Sequence, residues 1–185
     1  MADSARIVFV SFASQRDPLR ESWRRFREAV APATGADLTG AGRAPGSAAP
    51  TAGGDLAGSA RAAGHPSSSG ETSGVWRLLA TNNRELCRAA FVYPTFAGAR
   101  AHVLALRARA DELETVAIAG PAQGSRGWYL TLDGAIVATC GRWYGASAAG
   151  GEAAAAALEA FGEAVIGDIA RDLSPRTRNR APRVW

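Results

Sequence analysis

The chain has 185 residues, a formal charge of +4 and no lysine, so all 21 basic residues are arginine. That excludes lysine-dependent chemistry such as a Schiff base or a P-loop lysine, and the arginine bias is that of a GC-rich, bacterial type of coding sequence. Residues 174–185 hold Arg176, Arg178, Arg180 and Arg183 and no acid, leaving 17 arginines against 17 acids elsewhere, so the excess charge belongs to the tail.

In chain order, residues 6–12 (RIVFVSF) are β-branched and aromatic and predict a strand. Asp17 then reads as an N-cap with Pro18 in the first helical position. Leu19, Trp23, Phe26 and Val30 follow as one apolar stripe. Residues 31–74 change to Ala, Gly, Pro, Ser and Thr with almost no large apolar side chain, a composition that predicts a disordered linker.

Order returns at Val75. Trp76, Leu78 and Ala80 alternate with Arg77 and Thr81, Asn82-Asn83 is a turn, and residues 85–91 run back. Pro94-Thr95 opens a helix with Phe96, Ala99, Val103, Leu106, Ala110 and Leu113 on one face. Residues 115–119 are a short extended segment. Trp128, Leu130 and Leu132 begin a second pass, Asp133-Gly134 is a hairpin signal, and residues 135–141 return. Ser147 is read as the cap of an alanine-rich helix whose stripe is Ala154, Leu158, Phe161, Val165 and Ile169, ending at Ser174-Pro175.

The two passes match at an offset of 52 residues before the turn and 51 after it: Trp76 with Trp128, Tyr93 with Tyr144, helix with helix. The expected fold is α+β, with two tandem ββα repeats (75–173) forming one antiparallel sheet packed by two helices. An N-terminal strand–helix element (1–30) would hang on the linker (31–74), and a basic tail (174–185) would close the chain.

The segments WYLTLDGAIVATCGRWYGASAAGGEAAAAAL and WRLLATNNRELCRAAFVYPTFAGARAHVLAL resemble the YegP-like domain of unknown function, a family built from tandem ββα repeats. The resemblance covers about half the chain, and Ser147-Ala148-Ala149-Gly150-Gly151 departs from the lysine and asparagine-glycine usual there. It implies a fold and no established chemistry.

The residues with chemical potential are few. His65 falls in the linker and His102 flanks a buried stripe, which leaves no second ordered histidine for a triad or a histidine-rich metal site. Cys87 and Cys140 occupy near-equivalent return-strand positions and read as small buried side chains. Gly120, Gly124 and Gly127 precede a strand and lack a lysine, so the phosphate-loop patterns fail. No catalytic residue, metal ligand or cofactor is expected. The candidate partner contacts are Arg176, Arg178, Arg180, Arg183 and Trp185 in the tail and Arg142 and Trp143 beside the second repeat, with Tyr129 in the same patch.

The expectation is therefore a non-enzymatic interaction or structural module, with a protein partner or self-association. The alternatives are a nucleic-acid-associated protein using the arginine tail and a small enzyme of unrecognised chemistry. The first residues make a poor signal peptide, and no run approaches the ~20 apolar residues of a membrane span, so a cytoplasmic setting is expected.

Overall fold

A computed structural model describes residues 4–31 and 73–172. Nearly all of the expected linker and the whole tail, including Arg176, Arg178, Arg180, Arg183 and Trp185, lie outside the described residues. The elements are β1 (Arg6–Ser11), α1 (Pro18–Val30), β2 (Gly74–Leu79), β3 (Glu85–Ala89), α2 (Phe96–Ala108), a 3₁₀ turn (Ala110–Glu112), β4 (Glu114–Ala119), β5 (Arg126–Leu132), β6 (Ala135–Cys140), α3 (Ser147–Glu163) and β7 (Val165–Asp172). The strands form one sheet in the order β4-β5-β6-β3-β2-β1-β7. Neighbours are antiparallel except β1 and β7, which run parallel.

This corrects the expected architecture in three respects. Among the described residues the sheet is mixed and seven-stranded rather than antiparallel throughout, and three helices pack on it rather than two. Its N-terminal strand does not stand apart: β1 is an inner strand between β2 and β7. The cause is that RIVFVSF is apolar on both faces, with Ile7, Phe9, Val10 and Phe12 all buried, the pattern of a strand covered on both sides.

Local chemistry sets the ends of the elements. Asp17 accepts from the Leu19 and Ala13 amides at 2.9 Å each and caps α1 with Pro18 in its first turn. Asp133 and Gly134 both have positive φ, 53° and 75°, as a type I′ hairpin requires. In the expected stripe of α1, Trp23 and Val30 are buried but Leu19 is 39% exposed. Arg27 is buried instead, and its guanidinium donates to the Ala31 carbonyl at the helix end.

The second helix–strand boundary differs most from expectation. Ser147 is not the cap; Ala146 occupies that position and offers no side-chain acceptor. The helix stops at Glu163, and Val165 and Ile169, expected in its buried stripe, are 61% and 68% exposed on β7. Four-residue spacing made this segment look helical, yet Val165, Ile166 and Ile169 are β-branched and the free side of β1 offers a ladder that a helix would leave unpaired.

Helices cover both faces. Cys87 lies opposite Leu78, and Arg88 opposite Arg77, so the two pairs face opposite ways. On the first face, Phe9 meets Phe96 of α2 edge-on at 4.8 Å and Trp76 meets Phe161 of α3 at 5.6 Å. On the second, Arg88 lies over the Phe26 ring of α1 at 5.2 Å, and the Trp23 indole donates to the Ala89 carbonyl at 3.2 Å.

Two sets of pairings coincide in register. Gly74 and Tyr93 exchange backbone hydrogen bonds, as do Arg126 and Tyr144. Ser11 then pairs with Gly74 and Arg6 with Leu79, while Ala119 pairs with Arg126 and Glu114 with Thr131. Thus β1 sits beside β2 as β4 sits beside β5. Between them, β3 and β6 meet at the centre with Cys87 opposite Cys140.

Candidate functional site

Among the described residues, those able to do chemistry lie in four places. The first is a half-buried polar cluster on α2. His102 faces Tyr93 and Trp76, with ring centroids 5.4 and 6.4 Å away, and its Nδ1 accepts from the Tyr93 hydroxyl at 2.6 Å and the Trp76 indole at 3.4 Å. The Phe91 edge lies 6.0 Å from the imidazole. Burial lowers the His102 pKa from 6.5 to about 4, and a protonated Nδ1 would accept from neither partner. Burial also pushes the Tyr93 hydroxyl well above its ordinary range. The cluster holds a neutral imidazole and a neutral phenol. Its role is to join β2, the segment after β3, and α2.

The second place is the centre of the sheet. Cys87 and Cys140 are Cα partners, free and buried. Ala90 donates to the Val137 carbonyl, so alternation from that hydrogen-bonded pair makes Cys87 and Cys140 a narrow, non-hydrogen-bonded pair. Burial raises both thiols above their ordinary value. A neutral buried thiol is a poor nucleophile, which agrees with the structural reading of both residues.

The third is the α1 side of β2 and β3, where Glu85 accepts from Arg77 and from Arg88, and Arg88 also donates to the Gly141 carbonyl at 3.0 Å. This triad leaves one net positive charge, half-buried beneath α1. The fourth is the patch read from sequence around Arg142 and Trp143. Arg142 is exposed, with its guanidinium over the Tyr144 ring at 5.2 Å. Trp143 and Tyr129 are half-buried. Trp143 packs on Phe26 at 5.7 Å and fills the space above Gly120 and Gly127, where an added Cβ would come within 2.7 and 2.6 Å of its ring. The structure brings Arg142 to the surface and turns Trp143 into a wedge between α1 and the β4–β5 hairpin.

A cavity of about 50 Å³ opens among Phe9, Val10, Ser11, Gly74, Thr95 and Phe96. That is room for a water or two rather than for a metabolite, whose pockets run to roughly 300–1,000 Å³. Among the described residues no three His, Cys, Asp or Glu side chains converge as metal ligands, and no helix is long and apolar enough to cross a membrane.

What the sequence leaves unassigned is which strand stands at an outer edge of the sheet, and the structure places β4 there. In β4–β5 the Gly120 amide donates to the Ser125 carbonyl, and the pairing runs without a bulge. Alternation then turns the backbone groups of Glu114, Val116 and Ile118 toward β5 and those of Thr115, Ala117 and Ala119 outward. The segment reads as a strand from its residues, but no local signal says which neighbours it has. Compared with known proteins, the chain matches no family model, no curated protein and no solved structure.

Proposed function

We propose that this protein is a non-enzymatic interaction module, a rigid sheet scaffold that binds partner polypeptide along the β4 edge. The observation that carries this reading is the contrast between side chains and main chain. Among the described residues, His102 and Tyr93 are engaged with each other, Cys87 and Cys140 are enclosed, and Glu85 is shared by two arginines. Among the described residues no strand pairs with the outward amides and carbonyls of β4, and an unpaired edge is a template for another strand.

We also propose that the scaffold is a duplicated unit, of the kind its YegP-like resemblance implies. The coincident registers support this and lengthen the unit: β4-β5-β6-α3 corresponds to β1-β2-β3-α2, so each copy is three strands and a helix. In the first copy the connection between its first two strands carries α1 and residues 32–72, where the second copy has a six-residue turn, 120–125.

The test is quantitative capture from native extract, with and without nuclease, comparing the full chain with Ala117→Pro. Proline there removes an outward amide and no β4–β5 bond. Proteins that survive nuclease and are depleted by Ala117→Pro support the reading. Enrichment that vanishes with nuclease, or with deletion of 174–185, favours the nucleic-acid alternative. No protein enriched in either arm overturns the interaction reading.

A further inference from the structure

Resting on the reading of β4 as an interaction edge, we infer that its occupant is a second copy of this chain, joined antiparallel about Ala117. The strand is Glu-Thr-Val-Ala-Ile-Ala, and a two-fold axis fixes what it meets. A two-fold axis pairs one residue with itself, and centring it on the outward-facing Ala117 is the choice that matches every outward residue within β4, with Thr115 opposite Ala119 of the second copy. All three outward residues then form hydrogen-bonded pairs, two bonds to a pair. The register leaves no outward amide or carbonyl of β4 unmatched.

The side chains complete the fit. Val116 and Ile118 share the face of Trp143, where the Ile118 Cγ1 lies 3.4 Å from a Cβ position on Gly127, and both are half-buried. In this register Val116 falls opposite Ile118 of the second copy, twice, in the narrow pairs where cross-strand side chains are closest. The other face carries Thr115, Ala117 and Ala119, all exposed and small, so nothing bulky holds the strands apart. Glu114 falls opposite Gly120, so no like charges meet. The result is one continuous sheet through two molecules.

The opposite edge shows what protection looks like. Between the Ile7–Ile166 and Phe9–Ala170 pairs, β7 carries three residues against one of β1, a bulge that breaks the outward row of groups. Within β4 there is no bulge and no proline, and its one charge, Glu114, stands at the end of the strand, away from the centre of the pairing. Among the described residues the two edges are built differently, and β4 is the one left fit to pair.

The experiment is sedimentation equilibrium of the full chain over a micromolar to high-micromolar series, with far-UV circular dichroism confirming that each variant folds. The wild type is expected to dimerise. Ala117→Lys and Ala117→Glu each place like charges face to face across the axis and are expected to weaken dimerisation about tenfold or more. Mixing the two restores a heterodimer. Thr115→Pro, which also deletes an outward amide, gives the same loss by a different route. A wild type that stays monomeric overturns the inference while leaving the interaction reading to the extract experiment. A dimer indifferent to all three substitutions overturns it too, as does a failure of the Lys and Glu variants to pair when mixed.

Discussion

The two halves of the sheet reach one backbone register with different side chains. Pairing makes Phe12 equivalent to Gly120, Val75 to Gly127, and Val92 to Trp143. In the first half three apolar side chains stand at these positions, Phe12 and Val75 buried and Val92 half-buried; in the second a tryptophan lies over two glycines. The helices differ in a similar way. Val103 and Leu106 of α2 stand where α3 has Ala154 and Ala157, all four buried, and His102 stands where α3 has Ala153. Volume removed at one position returns at another, as close packing demands. Register is held by the main-chain bridges at Tyr93 and Tyr144, and side chains vary around it.

The strongest way to break the comparison is at the joint between halves. Phe161 of α3 is 1% exposed and lies against Trp76 of the first half. Phe161→Ala is expected to cost about 3–5 kcal/mol, a large part of a domain's stability, measured by urea unfolding. Its equivalent Ala110, at the 3₁₀ turn, touches no such partner, and Ala110→Gly is expected to cost far less. Equal losses would mean that the halves fold independently of this contact.

His102 sharpens the comparison through pH. Because burial holds its folded value near 4 against 6.5, the unfolded chain takes the proton first. The stabilisation is complete above 6.5 and is lost as pH falls from there toward 4, a change of roughly 3 kcal/mol. His102→Ala is expected to lose about 1–3 kcal/mol at pH 7, since the half-buried Tyr93 hydroxyl and the buried Trp76 indole lose the acceptor they share. It should also show a flatter decline between pH 6.5 and 4. His102→Gln, which keeps an acceptor without a titrating group, is expected to recover part of the pH 7 stability and keep the flatter profile. Unfolding free energies measured across that range decide; a variant profile parallel to wild type would sink the assignment.

A smaller effect concerns the wedge. Gly127→Ala pushes a methyl group into the Trp143 ring and is expected to cost about 1–3 kcal/mol. In a Trp143→Leu background the same substitution should cost markedly less, so the double-mutant cycle reports their coupling.

Much of the fold was legible because it is written locally. Alternation marks the strands, Asp17-Pro18 starts α1, Asp133-Gly134 turns β5 into β6, and the three-four spacing of Ala99, Val103 and Leu106 marks the buried face of α2. The failures share a non-local cause. Val165 and Ile169 continue a helical spacing, and only the free side of β1 makes them a strand. Nothing within RIVFVSF says that it sits between β2 and β7. The candidate site divides the same way: Arg142, a candidate contact, is exposed, whereas the packing of Trp143 depends on glycines distant in sequence. The edge position of β4 among the described strands depends on where the sheet ends, which no window of sequence contains.

The smallest effect is a gain. Thr95 and Ala146 adopt nearly the same cap conformation, φ −139°, ψ 152° and φ −145°, ψ 152°. Thr95 accepts from the Gly98 amide at 3.0 Å; Ala146 has no acceptor to offer, and the first turn of α3 has no acid. The amides at the start of the longer helix therefore rely on solvent where those of α2 have a side chain. Ala146→Ser, or Ala146→Thr to copy the other half, should place a hydroxyl where the backbone is already set for it and raise stability by about 1 kcal/mol. Thr95→Ala should lower it by a similar amount. If α3 gains nothing from the hydroxyl while α2 loses by its removal, the two helix starts are not equivalent, and the correspondence between the halves ends at the sheet.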